Sequence, residues 1–155
     1  SFGFWDRCDE TVMRIRSVRD ARWRYLRNFT PEQPLLAPND YKERQYPVWN
    51  LLKELHAEGK LTPAQEFLCR PTMPPEELYD LEADPDEIRN LASSDRPEAR
   101  AALERLRRVL DQWIEETNDQ GRTFEPPAVA AAQGATKSVP PKTDPKPKGR
   151  KKAAP

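Results

Sequence analysis

Residues 97–117 constrain this chain most. Ala99, Leu103, Leu106, Leu110, Trp113 and Ile114 recur at helical spacing and draw one apolar stripe along a helix beginning at Pro97. Arg100–Glu104, Glu104–Arg108 and Arg107–Asp111 stand four apart off the stripe, the spacing of helix-surface ion pairs. A lone helix of this length is marginal in water. The stripe therefore needs a partner surface, and the chain must supply one.

The partner lies upstream. In 11–18, Met13 and Ile15 alternate with Arg14 and Arg16; in 21–29, Trp23, Tyr25 and Phe29 alternate with Arg22, Arg24 and Asn28. Period two with aromatic and β-branched residues predicts a β-hairpin turning near Arg19-Asp20-Ala21, one face buried and an arginine face in water. Residues 77–81 predict a further short strand. The fold class expected is α+β: a small antiparallel sheet packed by the long C-terminal amphipathic helix.

The intervening segments read as connections and short helices. Three prolines make 30–40 a loop, and 70–76 is another. Residues 41–58 predict helix divided at Pro47, with Val48, Leu51, Leu52 and Leu55 on one face and Gly59 as the stop. Thr62-Pro63-Ala64-Gln65 carries a capping box. Asp84-Pro85-Asp86-Glu87 predicts a short helix to Ala92, with Asp84 as N-cap and Pro85 at the first position.

Composition then divides the chain in two. The totals are 26 basic and 26 acidic residues, and mean hydropathy is −0.96. Seven Lys/Arg, one acid, seven prolines and none of the 13 aromatics fall in 126–155. We expect residues 1–125 to fold and 126–155 to form a disordered basic tail. No apolar run reaches membrane-spanning length. Ser1-Phe2-Gly3-Phe4-Trp5 has neither an initiator methionine nor the pattern of a signal peptide, so an internal cut is expected. Two cysteines and one histidine do not by themselves make a four-ligand zinc site.

Several residues invite a chemical role. Asp6, Arg7, Asp9 and Glu10 surround Cys8, offering a guanidinium for an anion and carboxylates for hydroxyls. Arg14, Arg16, Arg19, Arg22, Arg24 and Arg27 make either a phosphate- or sulfate-binding face or a strand face partnered by acids elsewhere. His56 suits a helix C-terminus better than catalysis. Cys69 has no nearby base to activate it. Asn28-Phe29-Thr30 is a glycosylation sequon, and the basic tail suits a polyanion or a linker.

Three segments, in order, carry a resemblance: Asp6–Glu10 followed by Arg16–Phe29; Trp49 through Gly59-Lys60-Leu61-Thr62-Pro63-Ala64-Gln65; and Glu76-Glu77-Leu78-Tyr79-Asp80-Leu81-Glu82-Ala83-Asp84-Pro85-Asp86-Glu87-Ile88-Arg89-Asn90-Leu91-Ala92. Together they resemble the C-terminal region of bacterial sulfatases similar to N-sulfoglucosamine sulfohydrolase, across about residues 4–117. The resemblance implies the C-terminal subdomain of a sulfate ester or sulfamate hydrolase, inactive alone. Its own N-terminal catalytic domain, with formylglycine and calcium, would be missing from the chain, which itself holds no cofactor. It further implies a sulfated polysaccharide as substrate rather than nucleic acid, and a periplasmic or secreted location. Asp6, Arg7, Asp9 and Glu10 become candidates for the substrate rim. Cys8 stands where that family's Asp-Arg-Met-Asp-Glu segment has methionine. Cys69-Arg70-Pro71 has the cysteine-to-proline spacing of the formylglycine motif, but Met73 stands where that motif has arginine, so it is not read as one. The competing expectation is a polyanion-binding module using the basic tail and the arginine hairpin.

Overall fold

The two alternating segments pair antiparallel, as their period requires, and gain a strand on each side. In the computed structural model, which describes residues 1–9, 11–129 and 132, β1 (Phe2–Cys8), β2 (Thr11–Arg19), β3 (Trp23–Asn28) and β4 (Glu76–Asp80) form one antiparallel sheet in the order β1-β2-β3-β4. β1 was not expected from its sequence. It pairs with β2 from Phe2↔Val18 to Cys8↔Thr11, with a bulge between Trp5 and Arg7. The helices are α1 (Asp40–Gln45), α2 (Pro47–Ala57), α3 (Pro63–Glu66) and α4 (Pro97–Glu116); single 3₁₀ turns at Phe67–Cys69 and Gln120–Arg122 follow α3 and α4.

α4 lies on the sheet as its stripe demands. Ala99, Ala102, Leu103, Leu106, Leu110 and Ile114 are buried against Val18, Trp23, Tyr25 and Leu78. Each large side chain there contributes about 1.5–3 kcal/mol on burial. Trp113 lies at the edge of this core and stacks on Phe2 at 5.0 Å. Asn118, in the left-handed region at φ 50°, turns the chain out of the helix, and the Asp119 amide donates back to Ile114 O at 2.9 Å. The charges flanking the stripe reach the sheet: Arg107 pairs with Glu76, Asp111 with Arg27, and Arg105 with Asp20. The expected Arg107–Asp111 pairing along the helix is thus replaced by two pairings across to the sheet.

The opposite face of the sheet is not left to water. Met13 packs with Ala37 and Met73 from the two proline-rich loops, flanked by Trp5, Ile15 and Leu35. Arg14 and Arg16 also depart from expectation. They lie on the α4 side and are buried, because the chain leaving α4 folds over them.

The short helices keep their local signals. Pro47 separates α1 from α2. Gly59, at φ 65°, ends α2 in a Schellman arrangement, with Gly59 N–H on His56 O and Lys60 N–H on Leu55 O. The Thr62–Gln65 capping box forms. However, α2 buries none of its residues, and Val48 and Leu51 of its expected apolar face are exposed. The helix expected at 84–92 does not form. Glu87 adopts φ 54°, outside right-handed helix, and its carboxylate takes Arg24 Nη1 at 2.8 Å. Asp84 accepts instead from Arg89 N–H at 2.7 Å, which makes a turn of the intended cap. The expected tail beyond Val129, Ala132 apart, lies outside the described residues.

Candidate functional site

The bulge between Trp5 and Arg7 re-aims β1 at its charged segment. Asp6 Oδ1 lies 2.7 Å from Arg16 Nη1 and 3.1 Å from Arg14 Nη1, contacts that are ionic rather than well-directed hydrogen bonds. Arg16 is almost fully buried. Its Nε and Nη2 donate to Asp119 at 2.8 and 3.0 Å, and Nη1 donates to Ile15 O at 2.9 Å. Its guanidinium lies 5.6 Å from the Phe4 ring centroid. Burial works against its charge, yet Asp119 and Asp6 outweigh that and hold its pKa above the ordinary value.

Arg7 lies 3.6 Å from Glu125, and Arg14 faces the Phe124 ring at 5.8 Å. Phe4, Trp5, Asp6, Arg7, Arg14 and Glu125 line an open depression of about 390 Å³. The structure therefore brings Asp6 and Arg7 together. Asp9 lies at the β1–β2 turn with φ 50°, and Glu10 lies outside the described residues. The depression carries guanidinium, carboxylate and aromatic groups, and no Ser, Cys or His lines it. Such groups can pair with an anion and accept from hydroxyls.

Arg14, Arg16, Phe4, Asp119 and Glu125 were not legible as parts of this cluster. Period two placed the arginines in water. Asp119 stands 103 residues from Arg16, and no local pattern marks their pairing.

The other sequence candidates resolve into structural roles. Arg22 grips buried Asp80 with Nε–Oδ1 at 3.0 Å and Nη2–Oδ2 at 2.6 Å. The Arg22 hydrogen bond holds the Asp80 carboxyl below its ordinary pKa. Glu76 is likewise depressed, first by Arg107, and also accepts from the Tyr25 hydroxyl. Asn90 Oδ1 accepts from Leu78 N–H at 3.0 Å, and its amide donates to Glu76 O at 3.0 Å. The Glu76–Ala92 string is thus a folding motif that ties β4 to its return loop. With Arg24 and Arg27 on Glu87 and Asp111, the arginine hairpin is largely engaged by carboxylates, which weakens the polyanion-face reading. The sequon Asn28 is buried and donates to Pro74 O and Glu77. His56 Nδ1 lies 2.7 Å from Glu66. Burial, then Glu66, pushes the Cys69 thiol pKa up, against a role as nucleophile. Met73 serves the second core. Among the described residues no three His, Cys, Asp or Glu side chains converge to hold an ion. No described helix is long and apolar enough to cross a membrane.

No protein-family model matches the chain. It is 39% identical over 141 residues to an ulvan-active sulfatase from Formosa agariphila, an alignment covering 91% of this chain and 23% of that protein. The chain thus spans less than a quarter of the sulfatase it matches. Among solved structures it is similar to a candidate sulfatase from Bacteroides thetaiotaomicron, with a TM-score of 0.45 and 21% identity, over 81% of this chain and 18% of that one.

Proposed function

We propose that this chain is the C-terminal, non-catalytic part of a sulfatase that hydrolyses sulfate esters or sulfamates of a sulfated polysaccharide. The observation that carries this is the 39% identity to an ulvan-active sulfatase along nearly the whole chain. The depression at Asp6 and Arg7 supports the reading with groups suited to an anion and to hydroxyls. The formylglycine nucleophile and the calcium ion then belong to sequence outside this chain, and the mature enzyme works in the periplasm or outside the cell. In this reading Asp6, Arg7, Asp9 and Glu10 serve the substrate rim. Arg7 takes an anionic group and the carboxylates take hydroxyls. The relative's name favours a sulfate-ester polysaccharide over the sulfamate that the resemblance brought in.

The test is enzymatic. The polypeptide encoded by the whole reading frame should release sulfate from ulvan, and the 155-residue chain alone should not. Replacing Arg7 by Ala in the whole polypeptide should raise KM for the polysaccharide more than for a small aryl sulfate. Turnover by the isolated chain, or a whole polypeptide without sulfatase activity, refutes the reading.

A further inference from the structure

We propose that the outer face of the α1–α2 pair is the surface on which the rest of the sulfatase polypeptide seats. This rests on the proposed function and adds the contact surface to it.

The helices are too short to stand alone. α1 has 6 residues and α2 has 11, and isolated helices below about 12–15 residues are marginal in water. Helices of this size need tertiary cover, yet neither buries a single residue. What holds them is mostly polar. The Lys42 ammonium lies between the Trp5 and Trp49 rings at 4.9 and 4.7 Å, and Lys53 pairs with Glu43 at 2.7 Å. Apolar exposure is the cost. Tyr41, Tyr46, Val48 and Leu51 are all about half exposed, which places four of the chain's exposed large apolar side chains in eleven residues. Tyr41 and Tyr46 meet edge to face at 5.7 Å, and Val48 and Leu51 share a helix face.

Val48 and Leu51 also shape a seat, which the two tyrosines do not line. Pro47, Val48 and Leu51, rimmed by Glu43, Arg44 and Glu54, line an open depression of about 590 Å³. An apolar centre inside a charged rim is the anatomy of an interface, and contacts between domains of one chain are the more polar kind. The occupant follows from the length left over. The chain spans only 23% of the sulfatase it matches, so more than three-quarters of that protein lies outside the alignment. A second copy of this chain is the alternative that the experiment separates.

Hydrogen–deuterium exchange should be compared between the 155-residue chain and the whole encoded polypeptide. We expect amides of α2 to exchange about tenfold or more slowly in the whole polypeptide. The pair Val48→Asp and Leu51→Asp should leave the melting midpoint of the isolated chain unchanged and return α2 to fast exchange in the whole polypeptide. Equal exchange in both forms overturns the proposal. So does a concentration-dependent dimer of the isolated chain that the same pair of substitutions dissolves, with no added protection in the whole polypeptide. Sulfatase assays separate the two readings. An active polypeptide with an unprotected α2 overturns the docking surface alone, whereas an inactive one with a protected α2 overturns the sulfatase reading and leaves the surface standing.

Discussion

Replacing Gly121 by alanine should destabilise the fold through Arg16, although the two are far apart in sequence. A Cβ on Gly121 would fall within 3.0 Å of Nη2, Cζ and Nε of Arg16, 2.7 Å from the last. The tip of an arginine normally yields. This one does not, because Asp119 holds two of its nitrogens at 2.8 and 3.0 Å while Asp6 and Ile15 O hold the third. Asp119 in turn accepts from Gly121 N–H at 3.1 Å, so guanidinium, carboxylate and backbone cannot shift independently. Overpacking of such a site costs about 1–3 kcal/mol. Loss of charge-assisted hydrogen bonds, at about 1.5–3 kcal/mol each, sets the alternative cost if the guanidinium leaves. Alanine stiffens the unfolded chain and returns about 0.4–1 kcal/mol. A net loss of about 1 kcal/mol remains, near 4 °C in melting midpoint for a body of about 120 residues.

A double-mutant cycle isolates the cause. Arg16→Lys removes the planar group that meets the new methyl, so Gly121→Ala should cost less than about 0.5 kcal/mol in that background. Gly59→Ala is the control. Nothing lies within 4 Å of its Cβ, and its φ of 65° makes it lose about 1 kcal/mol whatever stands at position 16. Thermal and urea melts of the 155-residue chain measure all of these. An unchanged midpoint in Gly121→Ala, or the same loss with and without Arg16, refutes the reasoning.

Leu110→Ala, at a fully buried position under the sheet, should cost about 2–5 kcal/mol in urea unfolding, and a loss below about 1 would mean that α4 packs loosely. Asp80 and Glu76 sit below their ordinary values of 3.8 and 4.5, so the unfolded chain binds more protons in acid. Their stabilisation is complete above about pH 4.5 and is lost as pH falls through the folded values. The urea midpoint should therefore drop in that window, and Asp80→Asn with Glu76→Gln should flatten the acid limb; an unaltered limb counts against the pairing. Cys69 should react with a disulfide reagent at pH 8 more slowly than a free thiol, and at the free-thiol rate in urea.

Elements set by neighbouring residues are legible in the sequence alone. The α4 stripe, the Pro47 division, the Gly59 stop and the Thr62 capping box each depend on side chains within a turn of one another. The hairpin strands are legible because Trp23 and Tyr25 alternate with arginines. β1 is not, since Phe2–Cys8 alternates poorly and its pairing depends on β2. The 84–92 segment shows local signals overruled: Asp84-Pro85 favours a helix start, but Arg24 draws Glu87 and Asn90 ties the loop to β4.

By itself the sequence determined the α+β class, the long helix and its core face, and the placing of Asp6 and Arg7 in one charged segment. Only the tertiary structure decided what those charges do. It buried Arg14 and Arg16, gave Asp119 to Arg16 across 103 residues, and engaged most of the arginine hairpin with carboxylates. It also left α1 and α2 without a buried residue. The reason is physical. Helix and strand periodicity are written in nearest neighbours, whereas ion pairing and burial are settled by which distant segments the packed core brings within a few ångströms.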